Sequence, residues 1–399
     1  MDLSFGPEYD AFRAELQEFL SGWPLTGAEA KLPPEEQERL FRQRGIERGY
    51  VYRQYPSQYG GSDQEYDALK ERIVQEEYFR TGAPGSSHMQ GPAMLVPTLL
   101  DLGTEAQKRE FIPPTLAGDM RWCQGYSEPG SGSDLASLQS TARLEGDEWV
   151  INGQKIWTSN ANESQMMFGL FRTEPDAGKH AGISYLLVPI DQPGVDVRPL
   201  KQITGGMEFN EVFFDDARTP AHNIVGKRGE GWVVSRATLK HERNLIGNPG
   251  MLRQQLDMLI GLAKDKQRGG RPAIEDPGMR EQIAAIEGYV RAAETSNLRM
   301  LSATIRGEDE KVVLPTLMGK LFTTDISQLI MKAAYDLLGS DGLLEPQYDG
   351  GYVMDGSPES VVYNYIFSMG PSIAGGASNI QRNIIGERGL GLPRDLRPQ

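Results

Sequence analysis

Four stretches of this chain carry side chains or backbone suited to chemistry. "SEPGSGSD" at 127–134 packs three serines and two glycines into eight residues. It precedes strand-like sequence rather than a helix, so a helix dipole is not what it offers a phosphate. Read alone, it is either a turn in a β region or a flat, hydroxyl-lined ledge for a planar cofactor. "WTSN" at 157–160 puts Trp157 next to two hydroxyls, and by spacing alone that tryptophan reads as core. "KHER" at 240–243 reads by default as a solvated charged face. Yet Glu242 follows Leu239 by three positions and precedes Leu245 and Ile246 by three and four, which leans it toward the apolar stripe. "SIAGGASNIQR" at 372–382 breaks a helical region with five consecutive small residues, none able to act as acid or base. Metal chemistry is not expected: His88, His180, His222 and His241 are scattered, with no HExxH or CxxC. No GxGxxG or P-loop indicates a nucleotide fold.

These stretches sit in three textures. Residues 1–118 read as helical. Phe12, Leu16, Phe19 and Leu20 recur at helical spacing. "SDQE" at 62–65 predicts a capping box with Ser62 as N-cap, opening a helix to about Arg80 that buries Tyr66, Leu69 and Ile73. "TEAQ" at 104–107 repeats the signal. Residues 119–228 turn to short β-branched and aromatic runs. "STARLEGDEWVINGQKIWTS" predicts a hairpin about Glu-Gly-Asp, and "GISYLLVPI", "GVDVRPL" and "NEVFFDD" follow as strands of an antiparallel barrel or sandwich. Residues 229–399 return to long helices, with two expected near 278–306 and 309–338.

Composition bounds the function. The 399 residues are 39% hydrophobic and 24% charged, ordinary for a globular protein of several subdomains. No apolar run suits a bilayer, and the start lacks a secretory pattern. A formal charge of −14 disfavours nucleic acid and anionic lipid as partners. The lone cysteine, Cys123, excludes an internal disulfide and fits a reducing cytoplasm.

Together "YPSQYGG", "LGTEAQKREFIPPTLAGD", "YSEPGSGSD", "INGQKIWTSN", "LLGSDG" and "NIQRNIIGERGLGLPRD" make the chain resemble the acyl-CoA dehydrogenase family over almost its whole length. The resemblance implies an N-terminal helical domain, a middle antiparallel β-barrel domain and a C-terminal four-helix bundle. It also implies FAD, a tetramer built as a dimer of dimers, and oxidation of an acyl-CoA thioester to the trans-2-enoyl-CoA. A carboxylate removes the α-proton of a polarised thioester, the β-hydrogen passes to flavin N5 as hydride, and an electron-transfer flavoprotein takes the electrons. Carried onto matching positions, Ser127 hydrogen-bonds the isoalloxazine, and Gln124 and Tyr126 lie on the same strand edge. Trp157 and Ser159 line the other side of the ring, Asn379 belongs to the cofactor site, and Ser133 contacts the CoA pantetheine.

Departures from the family pattern are informative. Many relatives carry their base in a Tyr-Glu-Gly-Thr stretch, where this chain reads "AGGA" with Gly375 at the acid's position. A smaller branch, including isovaleryl- and long-chain-acting members, carries it in a Glu-Arg pair on the first helix of the C-terminal domain. "HERNLIG" matches that pair, making Glu242 the implied base with Arg243 beside the substrate. Gly375 is left to polarise the thioester carbonyl through its backbone N–H. "KQRGGRP" places Lys266 at a usual FAD-contacting arginine and Gly269 at a phenylalanine, and "DLLGSDG" puts Asp336 at a usual glutamine. Lysine lacks the bidentate fork and an acid repels a diphosphate. Both changes fall on the half-site donated across the dimer, which fits relatives acting on steroid side chains that pair two kinds of subunit. The expected partners are thus an acyl-CoA, bulky or branched, an electron-transfer flavoprotein, and a homo- or heterotetramer. Two other readings share the fold: a non-catalytic partner subunit, and a flavin oxidase or monooxygenase.

Overall fold

The computed structural model describes residues 5–86, 90–246, 250–308, 310–346 and 353–393, with the side chains of 242–246 outside the described set. The chain divides into two compact units, Met1–Leu200 with Met207–Glu242, and Lys201–Gly206 with Arg243–Gln399.

The first unit opens with helices α1 (Pro7–Leu20), α2 (Pro34–Glu47), α3 (Ala68–Thr81), α4 (Val96–Leu102) and α5 (Glu105–Ala117). Leu16 and Leu20 of α1 are fully buried with Phe41 and Ile73, and Phe12 and Phe19 pack against them, as the spacing requires. Thr104 and Gln107 form the expected capping box of α5. The start of α3 differs. Asp67, not Ser62, is its N-cap, accepting from the amides of Leu69 (2.9 Å) and Lys70 (3.1 Å). The Ser62 hydroxyl is engaged elsewhere, within 2.8 Å of Ile46 O and 2.7 Å of Val51 O. With the start moved on, Tyr66 lies outside the helix and is 62% exposed, Leu69 is half-buried, and Ile73 is buried as expected.

Glu77 of α3 is buried yet ionised, 2.6 Å from Arg13 and 2.8 Å from Arg80. Burial pushes its carboxyl upward, but the two guanidiniums outweigh this and hold it below its ordinary value of 4.5. A lowered carboxyl stabilises the fold above that value and loses the contribution as pH falls through the folded pKa. Glu77→Gln is therefore expected to lose about 1–3 kcal/mol at pH 7. Urea titrations of both proteins at several pH values should show that gap closing below pH 4.5.

Strands β1 (Trp122–Gly125), β2 (Thr141–Glu145), β3 (Glu148–Ser159), β4 (Met166–Arg172), β5 (Ile183–Pro189), β6 (Val195–Leu200), β7 (Phe209–Pro220) and β8 (Ile224–Val225) follow. They form one sheet in the order β6-β7-β3-β2-β4-β5-β8, with β1 on β4. The expected β2–β3 hairpin is present. The sheet is mainly antiparallel, as expected, with two parallel pairings the sequence did not announce: β1 with β4, and β2 with β4 at the single pair Thr141–Arg172. Neither pairing is a hairpin product, so local turn signals could not announce it. Apolar clusters cover both faces of the sheet: one joins α4 and α5 through Leu95, Leu99, Ile112 and Phe168, the other gathers Ile151, Phe171, Leu186 and Val212. Helix α6 (Gly231–Ile246) begins against this unit, burying Gly231, Val234, Ser235 and Thr238.

The second unit contains α7 (Gly250–Asp265), the two-residue strands β9 (Gln267–Arg268) and β10 (Arg271–Pro272), α8 (Pro277–Ile305), α9 (Glu310–Leu338), α10 (Pro358–Met369) and α11 (Ser378–Ile384). The long helices expected near 278–306 and 309–338 are α8 and α9. Their apolar stripes meet around Leu256, Ile283, Ile286, Val290, Ile330 and Ala334. No described helix is long and apolar enough to cross a membrane.

Candidate active site

The first unit joins the 127–134 and 157–160 segments. The Ile156 amide donates to Ser127 O at 2.9 Å, so the end of β3 runs beside the serine loop. A buried ion pair lies beneath this seam. Lys155, fully buried, is 2.7 Å from Glu128 and donates to Tyr126 O at 3.3 Å. Glu128 in turn accepts from the amides of Gln139 (2.6 Å) and Ser140 (2.9 Å). Burial pushes the Lys155 ammonium down to about 8, against the attraction of Glu128. Burial opposes ionisation of Glu128 as well, but Lys155 and the donors around it keep its carboxyl below the ordinary value. Both groups are therefore charged at neutral pH, and one contact network ties β1, the serine loop and β3 together.

That network fixes what stands above it. A register shift against β7 between Lys155 and Thr158 bulges β3, and Trp157 takes a left-handed backbone (φ 60°). Its side chain is turned out of the sheet and is 58% exposed, edge-on to Phe209. The reading of Trp157 as core is thus corrected: the bulge overrides the strand alternation that would bury it. Ser127, Ser159 and Gln124 are half-buried, Tyr126 is buried, and Ser133 is exposed on the loop. An exposed indole beside half-buried serines is an amphipathic ledge suited to a planar heteroaromatic ring.

On α6, Thr238 is fully buried, 3.0 Å from the Thr98 hydroxyl and 3.4 Å from the Tyr185 hydroxyl. Position 242 comes four residues later on this helix. The side chains of Glu242 and Arg243 lie outside the described residues. The neighbouring His241 is 3.9 Å from Asp101, and burial lowers its pKa despite that carboxylate.

Lys266, Asp336, Gly375 and Asn379 belong to the second unit. Lys266 pairs with Asp341 at 2.7 Å, and Asp336 pairs with Lys332 at 2.6 Å. Both charges are thus paired within the chain, Lys266 by Asp341 and Asp336 by Lys332. Gly269 and Gly270 form the turn between β9 and β10 with φ of 62° and 81°. Asn379, exposed in the first turn of α11, accepts from Arg382 at 3.4 Å. Gly375 has φ of 60°, a conformation costly for a side-chain-bearing residue. Among the described residues no cluster of His, Cys, Asp and Glu could hold a metal.

The Glu128–Lys155 pair escaped the motif reading. Its trace in the sequence is a lone glutamate in a turn of small residues and a lysine inside an apolar strand.

Family models for the acyl-CoA dehydrogenase N-terminal, middle and C-terminal domains match residues 7–119, 123–217 and 229–390. The acyl-CoA dehydrogenase IpdE1 of Mycobacterium tuberculosis is 41% identical over 91% of this chain and 90% of that protein. Its namesake in Mycolicibacterium smegmatis is 38% identical over 98% and 99%. Among solved structures, the ChsE4-ChsE5 complex from Mycobacterium tuberculosis and the Tcur3481-Tcur3483 steroid ACAD each match with a TM-score of 0.79 at 28% identity, covering 99% of this chain and 100% of theirs. With this fold and these identities along nearly its full length, the chain belongs to the acyl-CoA dehydrogenase family and is a FAD-dependent oxidoreductase.

Proposed function

We propose that this enzyme introduces a trans α,β double bond into a bulky or branched acyl-CoA, with Glu242 as the base. The observation that carries the reading is Gly375. The usual position of the acid is a glycine in left-handed backbone, so the loop is built without a side chain there, while α6 carries the Glu-Arg pair. The Glu242 carboxylate takes the α-proton. The Gly375 N–H donates to the thioester oxygen as negative charge develops on it, making that proton acidic. Arg243, the next residue in the chain, is assigned to the substrate, and Ser133 holds the pantetheine. Gln124, Tyr126, Ser127, Trp157 and Ser159 hold the isoalloxazine, and Asn379 contributes to the cofactor site. Bound FAD supplies the acceptor for the β-hydride, and an electron-transfer flavoprotein is the onward acceptor.

The ring-side residues suit FAD; those for the diphosphate offer no free cation, since Lys266 is engaged by Asp341 and Asp336 is a carboxylate already paired with Lys332. This supports an assembly with a second kind of subunit that supplies the missing contacts. The match to a two-component complex and to a two-component steroid ACAD supports it too, and favours a ring-bearing acyl group. Expressed alone, the chain should carry well under one FAD, and Lys266→Arg with Asp336→Gln should raise that content. Full occupancy and turnover by the unmodified lone chain would remove the need for a partner. Anaerobic bleaching of the flavin by a panel of acyl-CoAs, from straight short chains to steroid thioesters, tests the substrate class. Bleaching only by short straight chains would overturn it.

A further inference from the structure

The loop carrying Gly375 is held by its own backbone at its start, where the Ile373 and Ala374 amides donate to Gly370 O at 2.9 Å, and has little apolar anchoring beyond. Ile373 is 75% exposed, Ala374 is exposed, and Gly375 and Gly376 both have positive φ (60° and 93°). Two consecutive glycines give such a segment wide conformational freedom. Its apolar contribution is too small to restrict that freedom by burial. The Gly375 N–H has no acceptor among the described residues. What holds the rest of the loop is polar and comes from α9. Lys320 is 4% exposed, and its ammonium donates to Pro371 O at 2.5 Å and to Gly376 O at 2.7 Å. These carbonyls lie at the two ends of the segment that contains Gly375. From the other side, the buried Gln381 amide reaches Gly375 O at 3.4 Å. A cation bound to two carbonyls forms charge-assisted hydrogen bonds, stronger than neutral ones.

We infer that Lys320 is a positioning residue: by bridging Pro371 O and Gly376 O it sets the direction of the Gly375 N–H, and hence the polarisation of the thioester carbonyl. This rests on the role of Gly375 proposed above. A point charge on a flexible stem can satisfy two carbonyls that diverge, whereas a planar guanidinium is built for parallel acceptors. The same buried positive charge favours negative charge developing on a thioester oxygen at the loop.

The test uses the FAD-loaded enzyme in its native assembly and compares wild type with Lys320→Met and Lys320→Gln. Glutamine retains a donor and serves should methionine fail to fold. Three readings are taken. One is amide hydrogen exchange of residues 373–377. Another is the infrared carbonyl stretch of 3-cyclohexylacryloyl-CoA labelled with ¹³C at C1, an unsaturated thioester with no hydride to give. The last is kcat and KM with the saturated 3-cyclohexylpropionyl-CoA. Loss of the clamp should speed exchange at the loop and shift the bound carbonyl stretch back toward its position in water. It should also lower kcat about 100-fold, with KM changed less than about threefold, since the contact strengthens in the transition state. Unchanged exchange in a folded variant overturns the clamp. Faster exchange with an unmoved carbonyl stretch and kcat overturns its catalytic consequence. Glu242→Gln run in parallel separates the two proposals: if that variant turns over normally, the assignment of the base has failed, whereas the exchange data still judge Lys320.

Discussion

In the FAD-loaded native assembly, Glu242→Gln should leave an enzyme that binds FAD and acyl-CoA but does not turn over. The amide matches the carboxylate in size and keeps one acceptor oxygen, but it cannot hold a proton at neutral pH. Removing a positioned general base costs about 10²–10⁴ in rate. The upper end is expected here, because no side chain at 374–377 can substitute: the loop reads Ala, Gly, Gly, Ala. The measurement is single-turnover bleaching of the flavin under anaerobic conditions, with acyl-CoA binding followed by the shift of the oxidised flavin spectrum. Wild-type bleaching in this variant would sink the assignment. A non-catalytic partner subunit predicts a different pattern, with no bleaching in the parent chain either.

The second large effect is on stability. Lys155→Met should destabilise the first unit by about 3–5 kcal/mol, because it strands the Glu128 carboxylate in a buried site. Methionine fills much of the same volume, so the loss is electrostatic rather than a cavity. Urea unfolding followed by emission of the buried Trp122 and Trp149 reads it. Adding Glu128→Gln should restore about 2 kcal/mol, since a neutral amide no longer needs the cation. Recovery stays partial because Glu128 also accepts from the Gln139 and Ser140 amides with its two oxygens, and glutamine has one. FAD retention should fall in the single variant, as Ser127 and Trp157 ride on either side of this pair. A Lys155→Met protein within about 1 kcal/mol of wild type would show that the pair does not hold the seam.

Much of the fold was legible because it is local. The α1 stripe, the α5 capping box, the β2–β3 hairpin and the two long helices α8 and α9 each follow from residues within one or two turns of one another. Where the reading erred, a distant partner intervened. Ser62 is drawn away from a cap by the carbonyls of Ile46 and Val51, and Asp67 takes its place. The parallel pairings of β4 with β1 and β2 leave no turn signal. Trp157 is exposed because a bulge breaks the period-two pattern, and a bulge depends on the register of the neighbouring strand.

The same division runs through the chemistry. The resemblance of its motifs to a known family was sufficient to place the chain among flavin-dependent acyl-CoA dehydrogenases, and with that to mark the glycine at the usual acid's position and to imply Glu242 in its stead. These are statements of covalent identity along the chain, which folding does not alter. Tertiary structure alone revealed the ion pair under the ledge, the outward turn of Trp157, the neutralisation of Lys266 by Asp341, and the grip of Lys320 on the Gly375 loop. The three contacts among these join residues 27 to 75 positions apart. Whether a buried charge is tolerated depends on which partner the folded backbone brings to it, and no spacing rule in the sequence encodes that encounter.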